Sequence, residues 1–63
     1  MTESSIKQAI ERARINSIVH NICYILSNGT ELLTAVDYGF VGRMKEQGYW
    51  VAAIFQNGLQ IDL

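Results

Sequence analysis

Little in this sequence supplies the usual stabilisers of a small domain. A single cysteine, Cys23, excludes an internal disulfide. With no second thiolate, no CxxC pair and only His20 as a nitrogen ligand, a structural zinc has no ligand set. Charge of one sign is also missing: five Lys and Arg stand against six Asp and Glu. That balance lacks the net basic character or basic stripe on which nucleic-acid binding rests. No apolar run reaches the roughly eighteen residues of a membrane-crossing helix, and the opening MTESSIKQAIERAR has no signal-peptide centre. An unpaired cysteine fits a reducing compartment, so the expected location is cytoplasmic.

Apolar residues, by contrast, are plentiful, at 49 % of a 63-residue chain. A chain this short forms one domain over residues 1–63, and its core contributes only about 3–5 kcal/mol. Without disulfide or metal, the remaining stabiliser is a partner chain. Association is therefore expected, as a homodimer or as a subunit docked on something larger.

Along the chain, Thr2 to Asn16 reads as a helix. Thr2, Ser4 or Ser5 can cap it, Gln8 completes a capping box with Ser5, and Ile6, Ala9, Ile10 and Ala13 form one apolar stripe. Ile15 to Ser27 fits either period. As a continued helix it would place Ile15, Ile18, Val19, Ile22 and Leu26 opposite the first stripe, leaving one helix apolar on two sides. Its β-branched content favours a strand, which is the reading adopted here. Asn28-Gly29 then forms a two-residue type I′ turn, with Thr30 to Val36 returning. That register pairs Ile25 with Leu32, Tyr24 with Leu33 and Ile22 with Ala35, and sets His20 opposite Asp37.

Asp37 to Gln47 reads as a short helix, N-capped by Asp37, closed at Gly48 and presenting Phe40, Val41 and Met44 inward. Gly39 and Gly42 weaken it and are expected where it presses on the sheet. The last stretch, Gly48 to Leu63, is a second hairpin around Asn57-Gly58. Strict alternation puts Trp50, Ala52, Ile54, Leu59, Ile61 and Leu63 on a core face, and Tyr49, Val51, Ala53 and Phe55 on the other. The fold expected is α+β: an N-terminal helix plus a four-stranded antiparallel sheet built from two Asn-Gly hairpins with a short helix between them.

Chemistry is sparse. His20 with Asp37 is the one acid–base couple available, and Cys23 points to the opposite strand face from His20, so no nucleophile joins it. Cys23 reads as a small buried hydrophobe. Gly39-x-x-Gly42 lacks the strand–loop–helix setting of a phosphate cradle. No catalytic residues, metal or cofactor are expected, and the chain does not read as an enzyme. Arg12, Arg14, Arg43 and Lys45 would make a basic edge if both helices lay on one side of the sheet, the arrangement of a small antitoxin-like, nucleic-acid-binding dimer. The aromatic residues point elsewhere, because Tyr, Trp and Arg dominate binding hot spots. A partner-binding surface is expected from Tyr38, Arg43, Tyr49, Val51 and Phe55. The function expected is a non-enzymatic protein-interaction module, homodimeric or docking and inhibitory, of the kind carried by phages and mobile elements. A purely structural subunit of a larger assembly is the remaining alternative.

Overall fold

The computed structural model describes residues 3–61, with side chains from Ile6 onward. The elements run α1 (Glu3–His20), β1 (Ile22–Ser27), β2 (Leu32–Ala35), α2 (Tyr38–Glu46), β3 (Trp50–Gln56) and β4 (Leu59–Ile61). The four strands form one antiparallel sheet in the order β2-β1-β3-β4. The α+β architecture is as expected. Thr2 and Leu63, named above as cap and face residue, lie outside the described residues.

The sheet carries a helix on each face. Cys23, Ile25 and Phe55 pack with Ala13 of α1, and Leu32 and Ala53 close around them. On the other face Leu26 and Ala35 pack with Val41 of α2, flanked by Tyr24, Leu33, Phe40, Met44, Tyr49 and Val51. Alternate residues of β1 thus enter opposite cores, as its two-residue period dictates.

Three expectations are corrected by the structure. The first helix continues through Ile15–His20, and only Ile22–Ser27 is a strand. Asn21 stops the helix with φ of 75°, a left-handed conformation that Asn tolerates better than most residues. The β-branched segment stays helical because the tertiary structure holds its end. Buried Ser17 donates its hydroxyl to the Arg14 carbonyl (2.7 Å) and accepts from the Gly58 amide (2.9 Å). One turn further, the Asn57 amide donates to the Asn21 carbonyl at 3.0 Å. The cost of continuing the helix is visible, since Ile15, Ile18 and Val19 remain exposed.

The first hairpin is not closed by a two-residue turn. Tyr24 pairs with Ala35, Ile25 with Thr34 and Ser27 with Leu32, so four residues, 28–31, connect the strands. Asn28 does not adopt the positive φ that a type I′ turn demands of both central residues. Its side-chain oxygen instead accepts from the amides of Thr30 and Glu31, both at 2.9 Å, and from the Thr30 hydroxyl. The register moves by two residues rather than one, which preserves the faces of Cys23, Ile25 and Leu32. The expected His20–Asp37 cross-strand pair is not formed: His20 ends α1, and Asp37 caps α2, its carboxylate accepting from the Gly39 amide at 3.2 Å.

The third correction concerns β3. The partners of Ile25 and Leu26 are Ala53 and Val51, so Ala52 is an extra residue, a β-bulge. Alternation breaks there. Tyr49 and Val51 face α2, whereas Ala53 and Phe55 face α1. Beyond the bulge β3 turns through Asn57 and Gly58, both at positive φ, and Gln56 pairs with Leu59.

The ends of α2 follow its sequence signals. After Gln47, Gly48 takes φ of 94° and donates to the Lys45 carbonyl, while the Tyr49 amide reaches Met44. This is a Schellman closure, for which glycine is the favoured residue. Gly39 and Gly42 are both exposed rather than pressed against the sheet.

Candidate functional site

The five residues expected to bind a partner do not form one surface. Phe55 is only 4 % exposed and lies in the core under α1. Tyr49 and Val51 are half-buried beneath α2. The Tyr49 hydroxyl donates to the Glu31 carboxylate, an acceptor that holds the phenol proton and raises the Tyr49 pKa. Arg43 is exposed and lines a shallow groove with Thr34, Ala35, Val36, Asp37 and Phe40. Tyr38 alone presents a large exposed ring, 68 % accessible, packed edge-on against Tyr24 with centroids 5.9 Å apart.

Tyr38 borders a surface that strict alternation did not reveal. The nine residues of α2 extend only about 13 Å and touch β1, β2 and β3 but not β4. Register places Ile22, Tyr24, Ile54, Gln56, Leu59 and Ile61 on the α2 face. Leu59 is 71 % exposed and Ile61 36 %, with Ile54 and Ile22 half-buried beside them. One half of this sheet face is therefore packed under α2, and the other half is an open apolar surface from Tyr38 to Leu59. The residues assigned above to a core face, Ile61 and Leu59, are the exposed ones. Trp50, assigned likewise, stands half-exposed on the opposite face with its ring edge near Gly29.

The remaining candidates divide by face. Arg12 and Arg14 belong to α1, Arg43 and Lys45 to α2, and the sheet separates the two helices, so no common basic edge forms. Arg14 pairs with Glu11 on its own helix. Cys23 is fully buried, and that burial pushes its thiol pKa up, against smaller opposing hydrogen bonds from the Ala35 backbone and the Asn16 side chain. Among the described residues, no group of three His, Cys, Asp or Glu side chains is placed to hold a metal, and no helix is long and apolar enough to cross a membrane.

Comparison of the chain with protein-family models, with curated proteins and with solved structures gives no match. Its surface chemistry carries the functional reading.

Proposed function

We propose that this chain is a small, non-enzymatic protein-binding module that docks a partner on the open half of its sheet. The observation that carries this reading is the continuous apolar surface of Tyr38, Tyr24, Ile22, Ile54, Ile61 and Leu59, beside a helix too short to cover it. Contiguous exposed apolar area of this kind marks interaction sites on soluble domains. Tyr38 supplies the aromatic anchor typical of hot spots, already oriented by its contact with Tyr24. Docking there would also give a domain with no disulfide the additional burial that its size calls for. An inhibitory or adaptor role is consistent with a chain that offers a surface rather than a reactive cleft. Cys23, unpaired and buried, suits a reducing compartment such as the cytoplasm.

The test is affinity capture from the cells that make the protein, with wild type run against Leu59→Lys and Tyr38→Lys. Both positions are exposed, so the fold should survive, as circular dichroism would verify. A partner retained by wild type and lost by both variants supports the reading. Capture that is insensitive to both substitutions overturns it.

A further inference from the structure

Asparagine precedes glycine twice in this chain, at Asn28-Gly29 and at Asn57-Gly58. Such a pair can react with itself, because glycine has no side chain to shield its backbone nitrogen from the neighbouring side-chain amide. The two pairs share that chemistry and have opposite surroundings. Around Asn28 the fold assembles what the reaction needs. The side-chain oxygen accepts from the Thr30 amide at 2.9 Å, the Thr30 hydroxyl at 2.8 Å and the Glu31 amide at 2.9 Å. Donors converging at these distances on one carbonyl oxygen polarise the carbonyl and stabilise the negative charge it gains under attack. The Gly29 nitrogen is the attacking atom, and its N–H donates to the Ser27 hydroxyl at 3.1 Å in the same surface loop. Residues 28–31 are all exposed, so hydroxide and water reach both groups.

Around Asn57 the corresponding atoms are tied. The Gly58 N–H donates at 2.9 Å to the hydroxyl of fully buried Ser17. The Ile18 side chain lies over this glycine, 3.0 Å from where a Cβ would stand. The Asn57 amide is in turn held by the Asn21 carbonyl at 3.0 Å. Turning the Gly58 nitrogen onto the Asn57 side chain would break the bonds that secure the end of α1.

We propose that Asn28 is a site of spontaneous backbone modification in the folded protein, and that the fold spares Asn57. The Gly29 nitrogen gives its proton to hydroxide and bonds to the side-chain carbonyl carbon of Asn28. The carbonyl π pair moves onto the oxygen held by Thr30 and Glu31. That intermediate collapses as the bond to the side-chain nitrogen breaks. The nitrogen takes up a proton and leaves as ammonia, and a cyclic succinimide remains. Water then opens the ring at one carbonyl or the other, giving aspartate or isoaspartate. In isoaspartate the main chain runs through the former side-chain methylene. The β1–β2 connection thereby gains one carbon, and either product adds a carboxylate beside Glu31. The loop thus records the age of the molecule as a change in charge and length.

The test is timed incubation of the full chain at neutral pH, with peptide mass spectrometry following amide-to-acid conversion at both sites. In the folded protein Asn28 should convert at least about tenfold faster than Asn57, whose reaction must first break part-buried hydrogen bonds. In guanidinium chloride the gap should close, because glycine follows both asparagines and only the fold separates them. Thr30→Val removes one donor and leaves both amides in place. It should slow conversion at Asn28 by roughly two- to tenfold, with circular dichroism verifying the fold. Equal rates at the two sites in the folded chain, an Asn28 that stays unmodified, a gap that persists after unfolding, or a Thr30→Val chain that converts as fast as wild type would each overturn the proposal. None of these results depends on the Tyr38–Leu59 surface, so the two readings stand or fall separately.

Discussion

Replacing Gly42 by alanine should stabilise this protein, and the size of the effect follows from its position. Gly42 is the fifth of nine residues in α2, on the solvent side, and a Cβ added there would meet no atom within 4 Å. Nothing is lost by filling that space. The gain is the conformational entropy that glycine gives up in a helix interior, about 1 kcal/mol relative to alanine. For a domain of this size, that should raise the melting temperature by roughly 4–8 °C. Set against a core contribution of about 3–5 kcal/mol, it is a large fraction of the total. Thermal and urea unfolding would measure it, with an unchanged urea slope showing that the unfolded state is unaltered. Gly48→Ala is the internal control. Space is open there too, but φ of 94° puts an alanine in the left-handed region, at a cost of about 1–2 kcal/mol. The same methyl group should therefore act with opposite signs six residues apart. A Gly42→Ala variant no more stable than wild type would refute the reasoning, because α2 would then not be a formed helix with that side free.

Three further outcomes are expected. Ser17→Ala leaves the buried end of α1 without an acceptor for the Gly58 amide and should cost about 1–3 kcal/mol in urea unfolding; an unaffected midpoint would mean that water replaces the hydroxyl. Phe55→Ala empties a core position and should cost about 3–5 kcal/mol, enough to unfold most of the population, so circular dichroism should show lost structure rather than a folded binding mutant. Stability should hold through neutral pH and fall in alkali, because the folded-state pKa values of Tyr49 and Cys23 are both raised. Between the unfolded and folded values the unfolded chain binds fewer protons, so unfolding free energy decreases as pH rises. For Tyr49 this loss begins near the ordinary tyrosine value of about 10, and Tyr49→Phe should flatten that part of the melting profile.

Signals confined to a few neighbouring residues were legible in the sequence: Asp37 at the start of α2, Gly48 at its end, and apolar alternation through β1. What escaped depends on contacts between distant segments. The helix beyond Asn16 looks like a strand because Ile and Val dominate it, and its end is secured by Ser17 and Asn21 bonding to a hairpin some forty residues later. The bulge at Ala52 has no strong local signal, since two adjacent alanines fit either face. Its effect on the candidate site is large, because one extra residue moves Phe55 from an exposed row into the core and separates it from Tyr49 and Val51. Tyr38 and Arg43 were legible as exposed because α2 is regular. The uncovered half of the sheet was not, because it depends on where α2 ends relative to β4.

The tie between Ser17 and Gly58 also orders events during synthesis. Helix α1 is synthesised well before the hairpin that satisfies its last turn, since Gly58 follows Ser17 by 41 residues. Until Gly58 emerges, the segment from Ile15 to His20 has neither its tertiary bonds nor a covered face, and its β-branched residues favour extension. The helix–strand boundary of the nascent chain is therefore not fixed by these bonds until the β3–β4 turn has been made. A stop codon before residue 57 would remove more than an edge strand: it would free the far end of the molecule to choose the other structure.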